Sequence, residues 1–360
     1  MSPQPLGVAV AGLGFGEKVH LPALAAATDL EAVAIWHPRQ ERLDAATAAH
    51  GLKGFSDWDA LLVDPAVDAV IIATPPAPRF DLARRALEAG KHLLLEKPIA
   101  LHADQARELQ RLALARGLSV AVDYEYRAVP LFMQAARLLQ AGAVGTPWLV
   151  KLDWLMGSRA DPQRGWNWYA QADQGGGVIG ALGTHAMDML AWLIGPLGSV
   201  QALNSVSIKQ RPHPDGGLAA VDASDVSLMQ TVAHWQGRQD LPVPAQVSLS
   251  SVSRNGRGFC LDVVGSSGSL LLSSTNQKDY VHGFELQHAP LGEPFRAVEA
   301  DADFAFLETW SDGRIAPVAR VLGWWAESIR RGQPMLPGLA EGVASRVACD
   351  QAAGGTLNLA

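Results

Sequence analysis

Two charged side chains stand at the end of a strongly apolar stretch in the first third of the sequence. Leu93–Leu95 is a continuous apolar run, which is typical of a strand buried on both faces of a parallel sheet. The run stops at Glu96 and Lys97, and Pro98 removes a backbone donor, so the strand cannot simply continue. An acid and an amine are therefore predicted at the carboxyl end of a buried strand, where open α/β sheets bind ligands. The alternative is an ordinary ion pair that caps a solvated strand end.

The most hydrophobic helical segment also carries two polar residues that could take part in catalysis. We predict a helix over Val178–Ile194, on which His185 and Asp188 are three positions apart and share a face. A single histidine on an apolar helix is more often a core residue than a catalyst. The glycine-rich entry at Gly175–Gly177 and the acid one turn later favour an acid–base role. No third ligand stands at a suggestive spacing, so no metal site is predicted.

A glycine-rich turn near the start of the chain follows a buried strand and precedes a helix. Leu6–Ala11 is predicted as the strand, and a helix pattern begins at Glu17. Between them, Gly12 permits a tight turn and Gly14 lets backbone amides approach a pyrophosphate, as in dinucleotide-binding folds. The third glycine of that fingerprint is expected at position 17, whereas Gly16 lies one place earlier, so the match is partial.

The residues after the second predicted strand bear on which nicotinamide coenzyme is bound. Chains that bind NAD usually place an acid on the ribose hydroxyls about 20 residues beyond the glycine turn. Here the stretch is Trp36–His37–Pro38–Arg39, and the first carboxylate is Glu41. Arg39 and His37 could hold a 2′-phosphate, and Trp36 or Arg39 could stack on adenine; Arg39 could also simply begin a solvated helix. We therefore predict NADP(H), with NAD remaining possible.

Strands alternate with helices over the first third of the chain. This alternation specifies right-handed βαβ units and a doubly wound parallel sheet. The predicted strands are 6–11, 31–35, 67–74, 93–95 and 118–122, and the helices between them are 17–27, 40–49, 79–89 and 103–116. We therefore predict an α/β protein whose dinucleotide-binding Rossmann domain spans residues 1–123.

Beyond residue 123 the pattern changes to strands punctuated by turns, as antiparallel hairpins require. The predicted elements are a helix over 130–140, strands over 147–155, 200–208, 223–235, 245–252, 259–264 and 270–272, and a helix over 317–331. Polar alternation predicts that helices cover one side of this sheet and leave the other for a subunit interface. We assign residues 124–360 to a substrate-binding and oligomerisation α/β domain.

A long loop over 157–177 follows the first of these strands. It interleaves arginines with aromatic residues, among them Arg164 and Trp166. Loops of this length are usually functional or mobile. Aromatic faces and guanidinium groups suit a polyhydroxylated ring or a carboxylate, so both residues are predicted to bind the substrate. A lid that packs its own aromatic side chains is the alternative.

Composition argues against several classes of function. The 360 residues carry a formal net charge of −7, which argues against a surface for nucleic acid or anionic membranes. Two cysteines, Cys260 and Cys349, cannot form a disulfide framework or a zinc site of the usual spacing. Met1 to Pro5 lack the basic and apolar regions of a signal peptide, and no apolar run reaches membrane-spanning length. We expect a cytoplasmic protein with a small-molecule substrate.

Several of these motifs together resemble the Gfo/Idh/MocA oxidoreductases, a family named for glucose–fructose oxidoreductase, inositol dehydrogenase and a rhizopine-catabolism protein. The resemblance implies a Rossmann domain followed by a larger α/β domain with an open, mostly antiparallel sheet that commonly forms dimers or tetramers. It implies hydride transfer between a nicotinamide and a sugar, polyol or related carbonyl compound. The residues that carry it are Gly12–Leu13–Gly14, Thr74–Pro75, Glu96–Lys97–Pro98, Tyr126–Arg127 with Pro130, Gly175–Gly177, Gly183–Asp188 and the helix end at Arg330–Gly332.

The resemblance also implies roles for individual side chains. The lysine that matches Lys97 contacts the reacting oxygen, and the histidine that matches His185 assists proton transfer. The family usually has an aspartate four residues before this histidine, but that position is Ala181 here. Lys97 and His185 must then carry the proton between them, or Asp188 must replace the missing support. The alternative is a nucleotide-binding regulator or pseudoenzyme that keeps the pocket but has lost the proton relay.

The predicted site brings these groups together around the nicotinamide, which we expect near Thr74, Lys97 and Tyr126. The residues assigned to the coenzyme are Gly12, Leu13, Gly14, Phe15, Gly16, Trp36, His37, Arg39, Thr74, Pro75, Glu96, Lys97 and Tyr126. Those assigned to the substrate are Lys97, Arg164, Trp166, His185 and Asp188, of which Lys97 and His185 are the catalytic pair.

Overall fold

The folded chain divides into two compact units that do not follow the sequence strictly. A computed structural model of the protein describes residues 4–354 and 357–358, so the first three residues of the segment that lacks signal-peptide features lie outside the described residues. The first unit holds the chain up to Glu125 and Glu308–Arg346, and the second holds Tyr126–Leu307 and the chain from Val347 onward. The sequence prediction divides the chain after residue 123 and assigns 308–346 to the second domain, whereas the folded chain groups that segment with the first unit.

The elements are numbered in chain order. The strands are β1 (Leu6–Ala11), β2 (Leu30–Trp36), β3 (Lys53–Phe55), β4 (Ala69–Ile72), β5 (His92–Leu95), β6 (Val120–Val122), β7 (Pro147–Leu155), β8 (Gln201–Ser205), β9 (Gln210–Pro212), β10 (Leu218–Ala220), β11 (Val226–His234), β12 (Pro242–Ser250), β13 (Gly258–Gly265), β14 (Gly268–Ser274), β15 (Glu285–Pro290), β16 (Arg296–Ala297) and β17 (Leu357–Asn358). The α-helices are α1 (Leu21–Ala25), α2 (Gln40–His50), α3 (Trp58–Leu62), α4 (Pro76–Glu88), α5 (Ala103–Arg116), α6 (Pro130–Gln140), α7 (Thr184–Leu193), α8 (Ile315–Arg331) and α9 (Leu339–Ala353).

The first unit is built on a six-stranded sheet in the order β3-β2-β1-β4-β5-β6, in which every neighbouring pair is parallel. The central strands are apolar because both faces are covered, and all four residues of β4 are buried. The strand order reverses between β1 and β4, and dinucleotides bind at such a switch point in doubly wound folds. The predicted Rossmann architecture is confirmed.

The second unit is built on a nine-stranded sheet in the order β16-β15-β14-β13-β7-β12-β11-β8-β17. Most neighbouring strands are antiparallel, while β12 pairs with β7 and β17 pairs with β8 in parallel. One face packs against α6 and α7 in a core that includes Phe132, Leu190 and Phe259. Strand β11 alternates buried and exposed residues along its length, so the opposite face of the sheet is open. The predicted mixed sheet domain is confirmed.

Two single turns of π-helix, Gly16–His20 and Ile179–Gly183, lead directly into α1 and α7. Such turns are rare in proteins, and those that occur are often found at functional sites. The second turn is covered by α9, where the buried thiol of Cys349 lies 3.8 Å from the carbonyl oxygen of Ile179 and donates to it. Each turn precedes or contains a histidine of interest, His20 in the first unit and His185 in the second.

Helix α9 is the largest element that the sequence did not predict. Its sequence is rich in small residues and lacks a clear apolar stripe. The structure explains this composition, because a Cβ atom at Gly342 would lie 2.7 Å from the side chain of Ile99. The start of the helix is marked by Glu341, whose carboxylate accepts a hydrogen bond from the backbone of Gly338 at 2.8 Å. Across residues 4–354, every helix is too short or too polar to cross a bilayer.

Candidate active site

The glycine turn after β1 has the backbone geometry of a phosphate-binding loop. Gly12 has φ +105°, and a Cβ atom there would lie 2.7 Å from the carbonyl of Ala73, so no other residue fits. At Gly14 a Cβ atom would meet open space, which leaves room for a ligand to approach the backbone. Gly16 packs against Val10, where a Cβ atom would lie 2.9 Å from the side chain. Gly16 therefore provides the close helix–strand packing of the third fingerprint glycine, although it is one position early.

The glutamate that replaces the third glycine of the fingerprint does not obstruct this loop. Glu17 is paired with His50 at the end of α2, and Oε1 lies 3.3 Å from the histidine Nε2. Both side chains are partly exposed. The carboxylate of Glu17 is thereby held at the surface of the unit by His50.

The residues directly after β2 include an arginine, and the first acid, Glu41, follows in α2. Trp36 is buried and stacks edge-on against Trp58, with ring centroids 5.1 Å apart. His37 accepts a hydrogen bond from the backbone of Arg39 at 3.1 Å, and burial together with the charges of Arg39 and Arg42 lowers the pKa of its imidazole. Both arginines are exposed. Because Trp36 lies in the core, Arg39 is better placed than Trp36 to contact a ligand.

A buried arginine joins the ends of β4 and β5. Arg79, on the first turn of α4, donates to the carbonyl of Glu96 at 2.7 Å and also to the carbonyls of Pro98 and Thr74. Its guanidinium is 3% exposed, and burial lowers its pKa to about 10 against the charge of Glu96, which raises it. Since the carbonyls on both sides of Lys97 are held by one planar group, the backbone that presents the Lys97 amine is fixed.

The acid next to that lysine points into the interior of the first unit. Glu96 is buried, and its Oε1 lies 3.0 Å from Nε2 of His20 on the first π-turn. Lys97 itself is partly exposed. The sequence assigned Glu96 to the coenzyme, but in the structure its carboxylate contacts His20 of the same unit. Lys97 is therefore the side chain of the motif that can contact a ligand.

In the second unit, His185 lies in an aromatic cluster. Its ring meets Tyr126 edge-on at 5.0 Å between centroids and lies 6.2 Å from Trp154. The Tyr126 hydroxyl is 2.8 Å from the hydroxyl of Tyr280, with the two rings stacked. His185 is 3% exposed. The aromatic surroundings fix the ring of His185 and create an apolar environment around a group that can exchange a proton.

Asp188 is held by an arginine that the sequence did not assign to the site. Arg127 donates from Nε to one carboxylate oxygen at 2.9 Å and from Nη2 to the other at 2.7 Å, and both side chains are buried. The guanidinium also lies over the ring of Trp192 at 5.4 Å. A bidentate pair of this kind fixes the orientation of the carboxylate and compensates its charge. Ala181, four residues before His185, lies on the second π-turn and packs against the core.

The long loop at 157–177 is tied to neighbouring strands. Trp166 donates from its indole to the carbonyl of Ala220 in β10 at 2.9 Å, and Arg211 of β9 donates to the carbonyl of Arg159 at 2.6 Å. Arg164 is exposed and donates to the carbonyl of Ser158 at 3.0 Å. Arg159 lies over the ring of Tyr169 at 4.0 Å, and burial lowers its pKa. The predicted substrate residues Arg164 and Trp166 therefore lie on an anchored loop.

These features define the class of protein. The first unit is a Rossmann-type dinucleotide-binding unit whose glycine turn, open Gly14 and lysine at the end of β5 fit a nicotinamide dinucleotide. The second unit adds a buried histidine on a helix that covers a mixed sheet. An α/β oxidoreductase is the class that this combination indicates.

Sequence comparisons place the chain in a family. The profile of the Gfo/Idh/MocA oxidoreductase family, NAD-binding Rossmann fold, matches residues 6–124. The profile of the C-terminal alpha/beta domain of the same family matches residues 136–353. The chain therefore belongs to the Gfo/Idh/MocA oxidoreductase family, as the sequence motifs predicted.

Individual relatives support this assignment. The chain is 42% identical over 349 residues to an uncharacterized oxidoreductase of Synechocystis sp., with 96% of this chain and 92% of the relative covered. It is 30% identical over 228 residues to a levoglucosan dehydrogenase of Pseudarthrobacter phenanthrenivorans, with 61% of this chain and 58% of the relative covered. The solved structure of a levoglucosan dehydrogenase in complex with NADH and L-sorbose has a TM-score of 0.85 at 23% identity and covers 97% of this chain and 96% of its own.

Proposed function

We propose that the protein is an NADP(H)-dependent oxidoreductase that transfers a hydride between the coenzyme and a secondary alcohol or ketone of a sugar or polyol. The observation that carries the proposal is the presentation of Lys97 at the carboxyl end of β5, with the carbonyls on both sides of it held by Arg79. An amine fixed in this way, in the same unit as a dinucleotide turn, can hold the oxygen that gains or loses charge during hydride transfer.

The chain's own residues would then divide the remaining work. The turn at Gly12–Gly16 and Thr74 would hold the coenzyme, which supplies the hydride acceptor or donor when bound. Lys97 would hold the reacting oxygen of the substrate. His185 would take the hydroxyl proton during oxidation or return it during reduction. Tyr126, by its edge-on contact, would orient the imidazole.

The exposed arginines after β2 support the preference for NADP(H). Arg39 and Arg42 are exposed, and β2 ends without the acid that would repel a 2′-phosphate. Guanidinium groups are the side chains best suited to bind a phosphate dianion through several hydrogen bonds. NADH is bound in a fold relative, the levoglucosan dehydrogenase, so the coenzyme experiment must compare both forms.

The relatives support a pyranose substrate. Two matched proteins are named for reactions at position 3 of a hexose, a D-glucoside 3-dehydrogenase of Escherichia coli and a dTDP-3,4-didehydro-2,6-dideoxy-alpha-D-glucose 3-reductase of Streptomyces violaceoruber. We therefore favour the C3 hydroxyl of a glucopyranose as the reacting group. The half-buried Arg159 and the aromatic residues of the 157–177 loop provide hydrogen-bond donors and ring faces for such a substrate.

A two-stage assay tests the proposal. Protein fluorescence is titrated with NADPH and with NADH, and the tighter coenzyme is then used in its oxidised form with levoglucosan, D-glucosides, free hexoses and inositols while reduced nicotinamide is followed. We expect tighter binding of NADPH and turnover with at least one glucopyranose. Tight coenzyme binding without turnover across the panel in either direction would contradict the proposal and indicate a nucleotide-binding protein without this activity.

The open face of the second sheet supports a homo-oligomer. Leu149 and Val264 are direct cross-strand neighbours of β7 and β13, and both are exposed on that face. Leu228 and Val232 of β11 extend the exposed apolar surface. We infer that a second copy of the chain covers this face, since an apolar sheet surface of this kind is rarely left in water. Light scattering after gel filtration should give the molar mass of at least a dimer. Leu228→Glu should lower this mass towards that of a monomer. A wild-type protein that is monomeric at micromolar concentration would contradict the inference.

A further inference from the structure

Three buried titratable side chains meet beneath the Lys97 strand end, one from each of three elements. His20 comes from the first π-turn, Glu96 follows β5 and Asp123 follows β6. The Nε2 atom of His20 lies 3.0 Å from Glu96 Oε1 and 3.6 Å from Asp123 Oδ2. Their exposed fractions are 0% for His20, 8% for Glu96 and 0% for Asp123. Two carboxyl groups are therefore enclosed together with a single imidazole.

Hydrogen-bond accounting distinguishes the two carboxyl groups. Glu96 accepts from His20, whereas neither oxygen of Asp123 accepts a hydrogen bond from a donor in the described part of the chain. One oxygen of each carboxyl group and a nitrogen of His20 lie within 4.8 Å of one another. Two ionised carboxylates at this separation would repel, and Asp123 would carry a buried charge without a donor. A proton on Asp123 converts the repulsion into a hydrogen bond to Glu96.

The charges around the pair favour the same distribution. Burial raises the pKa of Asp123 well above its ordinary range, and the charges of Glu96 and Glu125 raise it further, while Lys97 lowers it. Burial also acts to raise the pKa of Glu96, but the hydrogen bond from His20 and the charges of His20 and Lys97 lower it to about 2. Arg79 is a further positive group that faces Glu96. The single proton of the pair therefore belongs on Asp123.

We propose that Asp123 is a protonated carboxylic acid at neutral pH, that it donates to the ionised Glu96, and that this pair positions Lys97. Arg79 holds the backbone carbonyls of Glu96 and Pro98, on either side of Lys97. The side chain of Glu96, next to Lys97, is held by His20 and by the proposed donor Asp123. Asp123 and Glu96 are positioning residues, because they act on the substrate through Lys97. The effect on turnover rests on the function proposed above, whereas the protonation state does not.

The pH dependence of unfolding in the coenzyme-free protein tests the protonation state. A carboxyl group whose pKa is raised by folding stabilises the folded chain below its ordinary pKa and loses that contribution as the pH rises through the folded pKa. The melting temperature of the wild type should therefore fall between about pH 5 and about pH 9 by more than that of Asp123→Asn, whose amide keeps the donor and has no proton to lose. Asp123→Ala, which removes the donor, should melt a few degrees lower than Asp123→Asn at pH 7.

A matched control separates this effect from a general loss of an acid. Asp64, in the same unit, has its pKa lowered by the hydrogen bond from Lys53, so Asp64→Asn should leave the slope between about pH 5 and about pH 9 unchanged. Equal slopes for wild type and Asp123→Asn would overturn the proposal. So would a stoichiometric divalent metal ion in the purified wild type that is absent from Asp123→Asn, because the ion and not a proton would then neutralise the pair.

Hydrogen–deuterium exchange and kinetics test the positioning of Lys97. Amides in the peptide that covers 93–102 should exchange faster in Asp123→Ala than in Asp123→Asn, and unchanged exchange would overturn the positioning role. With an active substrate, Asp123→Ala should lower kcat about 10-fold at unchanged coenzyme affinity, and Asp123→Asn should recover most of the loss. If Lys97→Ala is fully active while the melting temperatures of the Asp123 variants depend on pH as expected, the proposed role of Lys97 is wrong. The protonation of Asp123 is still supported in that case.

Discussion

The polar cluster around Glu96 in the first unit and the one around Asp188 in the second unit hold their charges in different ways. In the first unit, the ends of three parallel strands supply the groups, and three backbone carbonyls accept hydrogen bonds from the buried Arg79. In the second unit, Arg127 and Asp188 form a buried bidentate ion pair, and the ring of Trp192 lies against the guanidinium. The first cluster leaves Lys97 partly exposed for a ligand, while the second commits the carboxylate of Asp188 to the protein. Both Glu96 and Asp188 therefore lie close in sequence to a catalytic candidate and are bound by other residues of the protein.

The largest expected effect concerns that ion pair. Asp188→Ala removes the carboxylate that pairs with the buried guanidinium of Arg127, and we expect the free energy of unfolding of the second unit to fall by about 3–5 kcal/mol. Urea denaturation followed by fluorescence measures it. The exposed pair between Arg238 and Asp240 is the control, since Asp240→Ala should change stability by less than about 1 kcal/mol. A small effect at Asp188 with lost turnover would instead assign this acid to the chemistry.

The next effect tests the first cluster. Lys97→Ala should lower kcat by about 10²- to 10³-fold, because a donor to the developing charge is removed, while the Kd of NADPH changes little. Lys91→Ala is a matched control at the opposite end of β5, where the amine donates to the carbonyl of Val67 at 2.6 Å. It should leave kcat unchanged. Loss of coenzyme binding in Lys97→Ala would show that the lysine has a structural role.

A smaller effect is expected at the coenzyme end of the first unit. Arg39→Ala should raise the Kd of NADPH about 10-fold, and that of NADH by less than about twofold, because the proposed role of the guanidinium is to bind the 2′-phosphate, which NADH lacks. Isothermal titration with both coenzymes measures the ratio. Arg107, exposed on α5 and paired with Asp104, provides a control substitution that should alter neither Kd. Equal losses for both coenzymes in Arg39→Ala would indicate that the arginine contacts adenine.

The smallest effect sharpens the role of His185. Ala181→Asp introduces the acid that the family usually carries four residues before the histidine, on the π-turn that leads into α7. A nearby carboxylate favours the charged imidazole, so the acidic limb of kcat/KM should move to higher pH, with a gain in kcat of a fewfold. Ala181→Asn is the uncharged control and should leave the limb in place. An identical shift in both variants would exclude charge as the cause.

The same comparison explains how much the sequence could predict. The end of β5 and the glycine turn were predictable, because apolar runs and glycines act locally through the parallel sheet. The spacing of the glycines showed that Gly16 lies one position before the expected third glycine. That Gly16 nevertheless packs on Val10 could be seen only in the folded chain. Arg79 lies 17 residues from Glu96 and Arg127 lies 61 from Asp188, so neither partnership has a local signal. The one sequence signal for a structural role of Arg79 was its position as a positive residue on the first turn of a helix that follows a βα loop.

The second π-turn has a consequence for chemical labelling of the protein. The Cys349 thiol is buried on the carbonyl of Ile179, whereas Cys260, on β13, is partly exposed. Burial and the charge of Asp262 raise the pKa of the Cys260 thiol, so an alkylating reagent should modify Cys260 slowly, and it should reach Cys349 later still, after α9 has separated from that turn. The rate of the slower labelling phase would measure how often α9 separates from the π-turn that leads into α7, the helix that carries His185. No introduced probe is needed for this measurement.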